Sequence, residues 1–162
     1  MVHALYCDVC PVRYITSVQN TQLLCTVLVS MAQSYRSIVD AIDAEAEECE
    51  RRGETKTWTL GQLTGNVRPA SDCPSTFAID VNPMEWKMLA RKVVKAEIAG
   101  TADGSRNSFL HLVDALEARQ VRWHASPPSP DFPKSFIHGP EKTPFCVLHC
   151  RQARRHVRML QL

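Results

Sequence analysis

The feature that most constrains the fold is one apolar stripe in the segment Thr21–Arg52. Its residues are Leu24, Leu28, Met31, Tyr35, Ile38 and Ile42, separated by four, three, four, three and four positions. This spacing predicts a single long amphipathic helix. Gly53 is expected to end the helix, because glycine readily adopts the left-handed conformation that follows many helices. Acidic residues dominate after Ile42, so we expect a solvated C-terminal half that frays from about Glu47.

A second helix is predicted for Met84–Ala99 by a strong start signal. Asn82 suits the N-cap and Pro83 the first helical position, and Glu85 can bond back to the cap. Gly100 is expected to follow the last turn. The face that we expect to be buried consists of Trp86, Leu89, Ala90, Val93 and Ala96.

A third helix is predicted for Ser108–Arg122, with Ser105 or Ser108 as its cap. Its apolar face consists of Phe109, Leu112, Val113 and Leu116, which follow helical spacing. The short link between the second and third helices predicts that they form an antiparallel αα-hairpin.

Short strands are marginal features of this sequence. Thr76–Val81 alternates apolar and polar residues, which is typical of a strand. Its expected partner lies in the N-terminal arm, at Ala4–Tyr6 or Val12–Thr16, where aromatic and β-branched residues concentrate. The intervening segment Glu54–Pro74 is predicted to be a connection.

The C-terminal part is rich in proline and poor in apolar residues between Ser126 and Thr143. This composition predicts a disordered linker followed by a basic tail, although Phe145–Leu162 has enough apolar residues for a basic helix. We therefore expect a helical domain over residues 1–125, with a disordered tail over residues 126–162. The predicted fold class is mainly α: a small bundle of one long helix and an αα-hairpin.

Composition favours a cytoplasmic or nuclear protein over a secreted one. The seven cysteines are odd in number and scattered, which is typical of free thiols in a reducing compartment. No apolar run approaches the roughly 18 residues of a membrane span. The net charge of +2 is too small to imply a polyanionic partner by itself.

Candidate catalytic and metal sites are weak in this sequence. Cys7 and Cys10 could join Cys146 and Cys150 at a zinc ion, but the two pairs lie at opposite ends of the chain, and whether either binds a metal stays open. The trio Ser108, His111 and Asp114 is expected to be an ordinary polar helix face without a positioned base or an oxyanion hole. We therefore predict a non-enzymatic protein with no cofactor and no small-molecule substrate.

The candidate partner-binding site lies on the second helix. Four of its residues form a basic face, and two of its residues are apolar and lie off the predicted core face, as Met88 also does. The six residues are Lys87, Arg91, Lys92, Val94, Lys95 and Ile98. An exposed apolar strip often marks a protein-binding surface, so another protein is the predicted partner.

The sequence thus favours a protein-interaction, scaffold or regulatory module. The first alternative is an electrostatic binder of nucleic acid or anionic membrane, which would use the basic helix and the arginine-rich tail. The second is a fragment or truncated isoform of a larger helical protein, whose remaining parts would cover the apolar faces.

Overall fold

The computed structural model describes residues 13–60, 77–101, 108–125, 130–134, 139 and 141–162. Its elements are α1 (Tyr14–Arg52), β1 (Lys56–Leu60), β2 (Phe77–Val81), α2 (Pro83–Ala99), α3 (Phe109–Ala125) and α4 (Phe145–Arg158). The predicted mainly helical class, with one long helix and two short strands, is confirmed. The chain divides into two compact units, residues 1–37 with 95–162, and residues 38–94.

The long helix α1 begins earlier than its apolar stripe predicts. Residues 14–16, which the sequence assigns to a possible strand, are helical. The glycine stop is as expected, because Gly53 has a φ of 68°, but the predicted fraying from Glu47 is wrong, because the helix continues to Arg52 with Ala46 and Cys49 buried. The amide of Glu54 donates to the carbonyl of Cys49 at 3.0 Å, and that of Gly53 donates to Glu50 at 3.1 Å. This pair of bonds is the Schellman motif, which satisfies carbonyls that would otherwise lack partners at the helix end.

The two strands belong to the unit formed by residues 38–94. β1 and β2 pair antiparallel, with Lys56 opposite Val81 and Trp58 opposite Ile79. The prediction of a strand at Thr76–Val81 is confirmed over Phe77–Val81, but its partner is β1 and not the N-terminal arm. The prediction of a connection over Glu54–Pro74 is therefore wrong at Lys56–Leu60, where Trp58 and Leu60 alternate with Thr57 and Thr59. The predicted strand at Ala4–Tyr6 lies outside the described residues.

Helix α2 starts and ends as its capping residues predict. The side chain of Asn82 accepts a bond from the amide of Glu85 at 2.9 Å, and the carboxylate of Glu85 accepts one from the amide of Asn82 at 3.3 Å. This reciprocal arrangement is a capping box. Gly100 follows the helix with a φ of 86°.

In the unit that holds residues 1–37 and 95–162, the first part of α1 packs with α3 and α4. The rings of Tyr35 and Phe109 meet edge to face at 5.4 Å, and Gln120 donates to Thr21 Oγ1 at 3.2 Å. These two contacts show that α1 and α3 run antiparallel. The buried core residues shared by the three helices are Cys25, Leu28, Ala32, Phe109, Val113, Leu116, Cys146, Val147, Cys150, Ala153 and Val157.

Two buried polar residues of α3 join this core. Arg119 and Gln120 are both almost fully buried, because they lie three and four residues after Leu116 and so continue the apolar face of the helix. The guanidinium carbon of Arg119 lies 3.9 Å from the centroid of the Trp123 ring. A stacked guanidinium of this kind gains cation–π attraction while its methylene stem packs against apolar neighbours.

Helix α4 corrects the prediction of a disordered tail. The segment Phe145–Arg158 is helical, and five of its residues are buried: Cys146, Val147, Cys150, Ala153 and Val157. The alternative of a basic helix in Phe145–Leu162 therefore applies. Proline in the preceding segment obscures this helix in the sequence, and its first turn follows Pro144 directly.

Helix α3 packs against α4, whereas the sequence assigns the αα-hairpin to α2 and α3. Arg154 of α4 bonds Asp114 and Glu117 of α3, and Cys146 lies beside His124. Residue numbers rise along one helix as they fall along the other, so the pair is antiparallel. The division into residues 1–125 and 126–162 as independent folding parts stays a prediction.

Truncation after Ser126 tests that division. Because the removed segment covers Leu116 and Cys25 in the core, we expect a loss of helicity larger than the fourteen residues of α4 account for. We also expect a fall in the thermal midpoint of several degrees or more, since each 1 kcal/mol of lost stability shifts it by about 2–4 °C in a chain of this size. Far-UV circular dichroism with thermal melting measures both. An unchanged midpoint would favour the boundary at residue 125.

Candidate functional site

The predicted basic face of α2 is partly neutralised inside the unit of residues 38–94. Arg91 Nη1 donates to both carboxylate oxygens of Asp43 at 2.6 and 2.7 Å. Lys87 Nζ lies 3.2 Å from the same carboxylate. The bond from Arg91 is the largest cause of a lowered pKa at Asp43. Lys87 and Arg91 therefore hold α2 against α1 and are not a solvated binding row.

The apolar members of the predicted site are buried. Val94 is 7% exposed and Ile98 is 5% exposed, so the prediction that they form an exposed edge is wrong. Ala90 is buried on the same side of the helix. The face that packs inward thus contains Ala90, Val94 and Ile98, while Val93 of the predicted core face is exposed. The buried side of α2 is therefore rotated by about a quarter turn from the expected one, and the contacts with Asp43 lie on this buried side.

The remaining predicted residues, Lys92 and Lys95, are exposed. Lys95 Nζ donates to the backbone carbonyl of Leu162 at 3.3 Å. Within the ranges that the structure describes, Lys92 has no carboxylate partner. The structure therefore does not bring the six predicted residues together on one surface, and their role in partner binding stays a prediction.

The exposed side of α2 carries two methionines, of which the sequence places Met88 off the predicted core face and gives Met84 no role. Met84 is 55% exposed and Met88 is 53% exposed, and Lys92 follows at the same four-residue interval. Side chains four residues apart are neighbours on a helix, so the three form one strip. We call Met84, Met88 and Lys92 the α2 strip. The signal in the sequence is this four-residue spacing, which the capping box at Asn82 places on a helix.

A second surface that the prediction missed lies on α4. Arg154 Nη2 bonds Asp114 at 2.6 Å and Glu117 at 2.7 Å, and Arg151 Nε bonds Glu117 at 3.2 Å. These contacts direct one side of α4 toward α3. The opposite side exposes Phe145, Leu148 and Met159. Assignment of this segment to a disordered tail is the reason that sequence reasoning overlooked it.

A thiol cluster lies inside the unit of residues 1–37 and 95–162. Cys25 and Cys146 belong to one buried cluster with Val147, and Cys150 is also buried. Burial raises the pKa of Cys25 to about 11 and that of Cys150 to about 12. His124 Nε2 lies 3.2 Å from Cys146 Sγ, but burial raises the pKa of this thiol as well. A nucleophilic cysteine needs a lowered pKa, so these thiols are packing groups.

The described part of the chain offers no further candidate metal site. No group of three or more metal-binding side chains occurs there, and no helix in it is long and apolar enough to cross a membrane. Ser108 is buried and caps α3 by accepting a bond from the amide of His111 at 3.3 Å. Asp114 pairs with Arg154, so the trio Ser108, His111 and Asp114 has separate structural contacts. Cys7 and Cys10 lie outside the described residues.

Comparison with known proteins finds similarity to part of a transcription factor. The chain is 30% identical to transcription factor rglT of Aspergillus fumigatus over 127 residues, which cover 73% of this chain and 27% of that protein. It is 29% identical to transcription factor rglT of Emericella nidulans over 141 residues, which cover 78% of this chain and 28% of that protein. The chain thus spans little more than a quarter of the length of these relatives. No family model matches it, and no solved structure matches it.

The thiol assignment predicts slow alkylation of the buried cysteines. At pH 8, Cys25 and Cys150 in the folded chain should react with iodoacetamide at least about 100-fold more slowly than in urea, because burial raises their pKa and blocks access. Peptide mapping by mass spectrometry measures each cysteine separately. Rapid native alkylation of Cys146 with His124 intact, and its loss in His124→Ala, would instead identify an activated thiol.

The ion pair at Asp43 predicts a pH-dependent contribution to stability. Arg91 lowers the pKa of Asp43, so the stabilisation is complete above the ordinary value of 3.8 and is lost as the pH falls below it. Asp43→Asn should therefore lower the free energy of unfolding by about 1 kcal/mol at pH 7. The difference from the natural chain should shrink toward pH 3. Urea unfolding at both pH values measures this.

Asp40→Asn is the matched control for Asp43→Asn. Asp40 lies three residues earlier on α1, is exposed, and forms no ion pair within the described ranges. Its substitution should change the free energy of unfolding by less than about 0.5 kcal/mol at either pH. Equal effects of the two substitutions would contradict a specific role for the Asp43–Arg91 pair.

Proposed function

We propose that this chain is a regulatory, non-enzymatic protein-interaction module of a transcription-factor-like protein. Similarity to part of two proteins named as transcription factors supports a role in regulation. The buried, high-pKa thiols and the separate structural contacts of Ser108, His111 and Asp114 offer no support for catalysis. The partner in this proposal is another protein.

The α2 strip is the observation that carries this proposal. Met84 and Met88 expose more than half of their surface on a helix whose buried side contains Ala90, Val94 and Ile98. Methionine is flexible and polarizable, which suits a surface that must fit the apolar side chain of a partner. Lys92 beside them adds a positive charge that no carboxylate neutralises in the described ranges. Together they fit a partner with apolar anchors and nearby acidic residues.

The proposal includes action in the nucleus, where a transcription-factor-like protein is expected to act. The sequence prediction of a cytoplasmic or nuclear location includes this compartment. A scaffold role would use the same α2 strip, because both roles require a docking surface and neither requires catalysis. The interpretation of the chain as a fragment or truncated isoform stays a prediction.

Electrostatic binding of nucleic acid or anionic membrane is the second candidate function. Arg155 and Arg158 of α4 favour it, since they are exposed and no carboxylate pairs with them among the described residues. Salt dependence separates the two functions. For binding through phosphate contacts, the logarithm of the binding constant falls linearly with the logarithm of the salt concentration. Binding through apolar anchors depends only weakly on salt.

A reporter assay tests the proposed function. The chain, fused to a heterologous DNA-binding domain, should change transcription from a promoter that carries the matching site, because the fused domain supplies DNA binding and the chain supplies only protein contacts. Met84→Ser combined with Met88→Ser should remove at least about 80% of this change, as truncated hot-spot residues do. Luciferase activity at equal protein abundance measures the effect.

Val93→Ser is the matched control. Val93 is exposed on the same helix. It lies nine residues, or two and a half turns, after Met84 and is therefore on the side of the helix opposite Met84. The control should keep the reporter change. An absence of any reporter change, together with salt-sensitive binding of the isolated chain to a labelled DNA duplex, would favour the electrostatic function and reject the proposal.

A further inference from the structure

Helix α4 carries a second exposed strip with regular spacing. Phe145 is 69% exposed, Leu148 is 47% exposed and Met159 is 55% exposed. Gln152 and Arg155 are exposed between them, so the five positions follow one another at three, four, three and four residues. Met159 follows the last helical residue in a helical backbone conformation, with a φ of −78° and a ψ of −9°, which extends the strip by one position. We call these five residues the α4 strip.

The spacing of the α4 strip is the one that packs a helix against another helix. Residues at alternating intervals of three and four form a narrow seam along one side of a helix. The opposite side of α4 is already occupied, because Cys146, Val147, Cys150, Ala153 and Val157 are buried. The α4 strip is therefore additional to the face that holds α4 in its unit. A helical segment of a partner fits it.

Charge defines the chemistry of that partner. Helix α4 contains four arginines and no acidic residue. Arg151 and Arg154 pair with Glu117 and Asp114 of α3. Arg155 and Arg158 are exposed, and among the described residues no carboxylate pairs with either. The strip is thus apolar at Phe145, Leu148 and Met159, and Arg155 within it and Arg158 beside it make its C-terminal half positively charged.

We infer that the α4 strip binds an acidic amphipathic helix of a partner protein. Leucine-like anchors of such a helix would pack on Phe145, Leu148 and Met159, and its carboxylates would pair with Arg155 and Arg158. A second copy of this chain is the poorer occupant, because two α4 helices would bring like charges together. Nucleic acid is also the poorer occupant, because phosphates leave the three exposed apolar side chains without a complement. This inference is independent of the α2 strip.

A designed peptide tests the inference with the full chain. The probe is a fluorescein-labelled helix of about 18 residues, with leucine at three- and four-residue intervals and glutamate at the flanking positions. Fluorescence anisotropy should give a dissociation constant in the micromolar range, on the order expected for a short helix in a shallow groove. The same peptide with lysine in place of glutamate should bind at least about tenfold more weakly, because like charges then meet.

Two variants and one control locate the site. Phe145→Ser combined with Leu148→Ser should weaken binding at least about tenfold with little change in salt dependence. Arg155→Glu combined with Arg158→Glu should weaken it by a similar factor and reduce the salt dependence. Ile15→Ser, which removes an equally exposed apolar side chain from α1, should leave binding unchanged. Circular dichroism confirms that each variant is folded.

Methyl NMR of the methionines distinguishes the α4 strip from the α2 strip. In a chain labelled at the methionine methyl groups, the peptide should shift the resonance of Met159 and leave those of Met84 and Met88 in place. Shifts at Met84 and Met88 alone would reject the inference while supporting the α2 strip of the proposed function. Failure of the reporter assay with a shift confined to Met159 would reject the proposed function and keep the inference.

Three further outcomes would overturn the inference. The first is no binding of the acidic peptide at concentrations up to about 1 mM, which is weaker than a specific docking surface gives. The second is tighter binding of a labelled DNA duplex than of the peptide, unaffected by Phe145→Ser with Leu148→Ser. The third is a dimer in sedimentation velocity that Phe145→Ser with Leu148→Ser dissociates, which would make a second copy the occupant.

Discussion

The fork that Arg154 forms on α3, together with the buried thiols and valines of α4, defines which side of α4 is available to a partner. One guanidinium nitrogen reaches Asp114 at 2.6 Å and Glu117 at 2.7 Å, and Glu117 is largely buried. Breaking such a pair by removing one member leaves a charge in a poorly solvated place, so the contact resists rotation of the helix. With Arg154 held inward, the thiols and valines of α4 complete the core. Phe145, Leu148 and Met159 are then left outside.

Asp43 acts in a comparable way in the other unit. It accepts two bonds from Arg91 and lies within 3.2 Å of Lys87, so a single carboxylate holds two cations of α2. The side of α2 that looks basic in the sequence is therefore its packed side, where long aliphatic stems accompany Ala90 and Val94. Met84 and Met88 are turned outward as a result. In both helices the charged contact lies on the same side as buried apolar residues, so the two reinforce one orientation.

The sequence predicts the elements of this protein better than their surfaces. Helix caps depend only on neighbouring residues. The capping box of Asn82 with Glu85 and the end of α1 at Gly53 are therefore both correctly predicted. The start of α1 is missed, because residues 14–16 contain β-branched and aromatic side chains whose strand preference tertiary packing overrides. β1 is missed for a similar reason, since its strand conformation depends on pairing with β2. The candidate site on α2 is predicted least well, because the exposure of a side chain depends on the residues that pack against it. Asp43, which contacts Arg91, is far from it in the chain.

What the sequence determines by itself is the helical class, the C-terminal end of α1 and the cap of α2. Backbone dihedral preferences and hydrogen bonds between near neighbours are enough for these features. Only the tertiary structure decides that Val94 and Ile98 are buried, that β1 is a strand, and that α4 is a packed helix with an exposed apolar strip. Each of these depends on a contact between residues far apart in the chain, and periodicity gives the faces of a helix without saying which face meets the core.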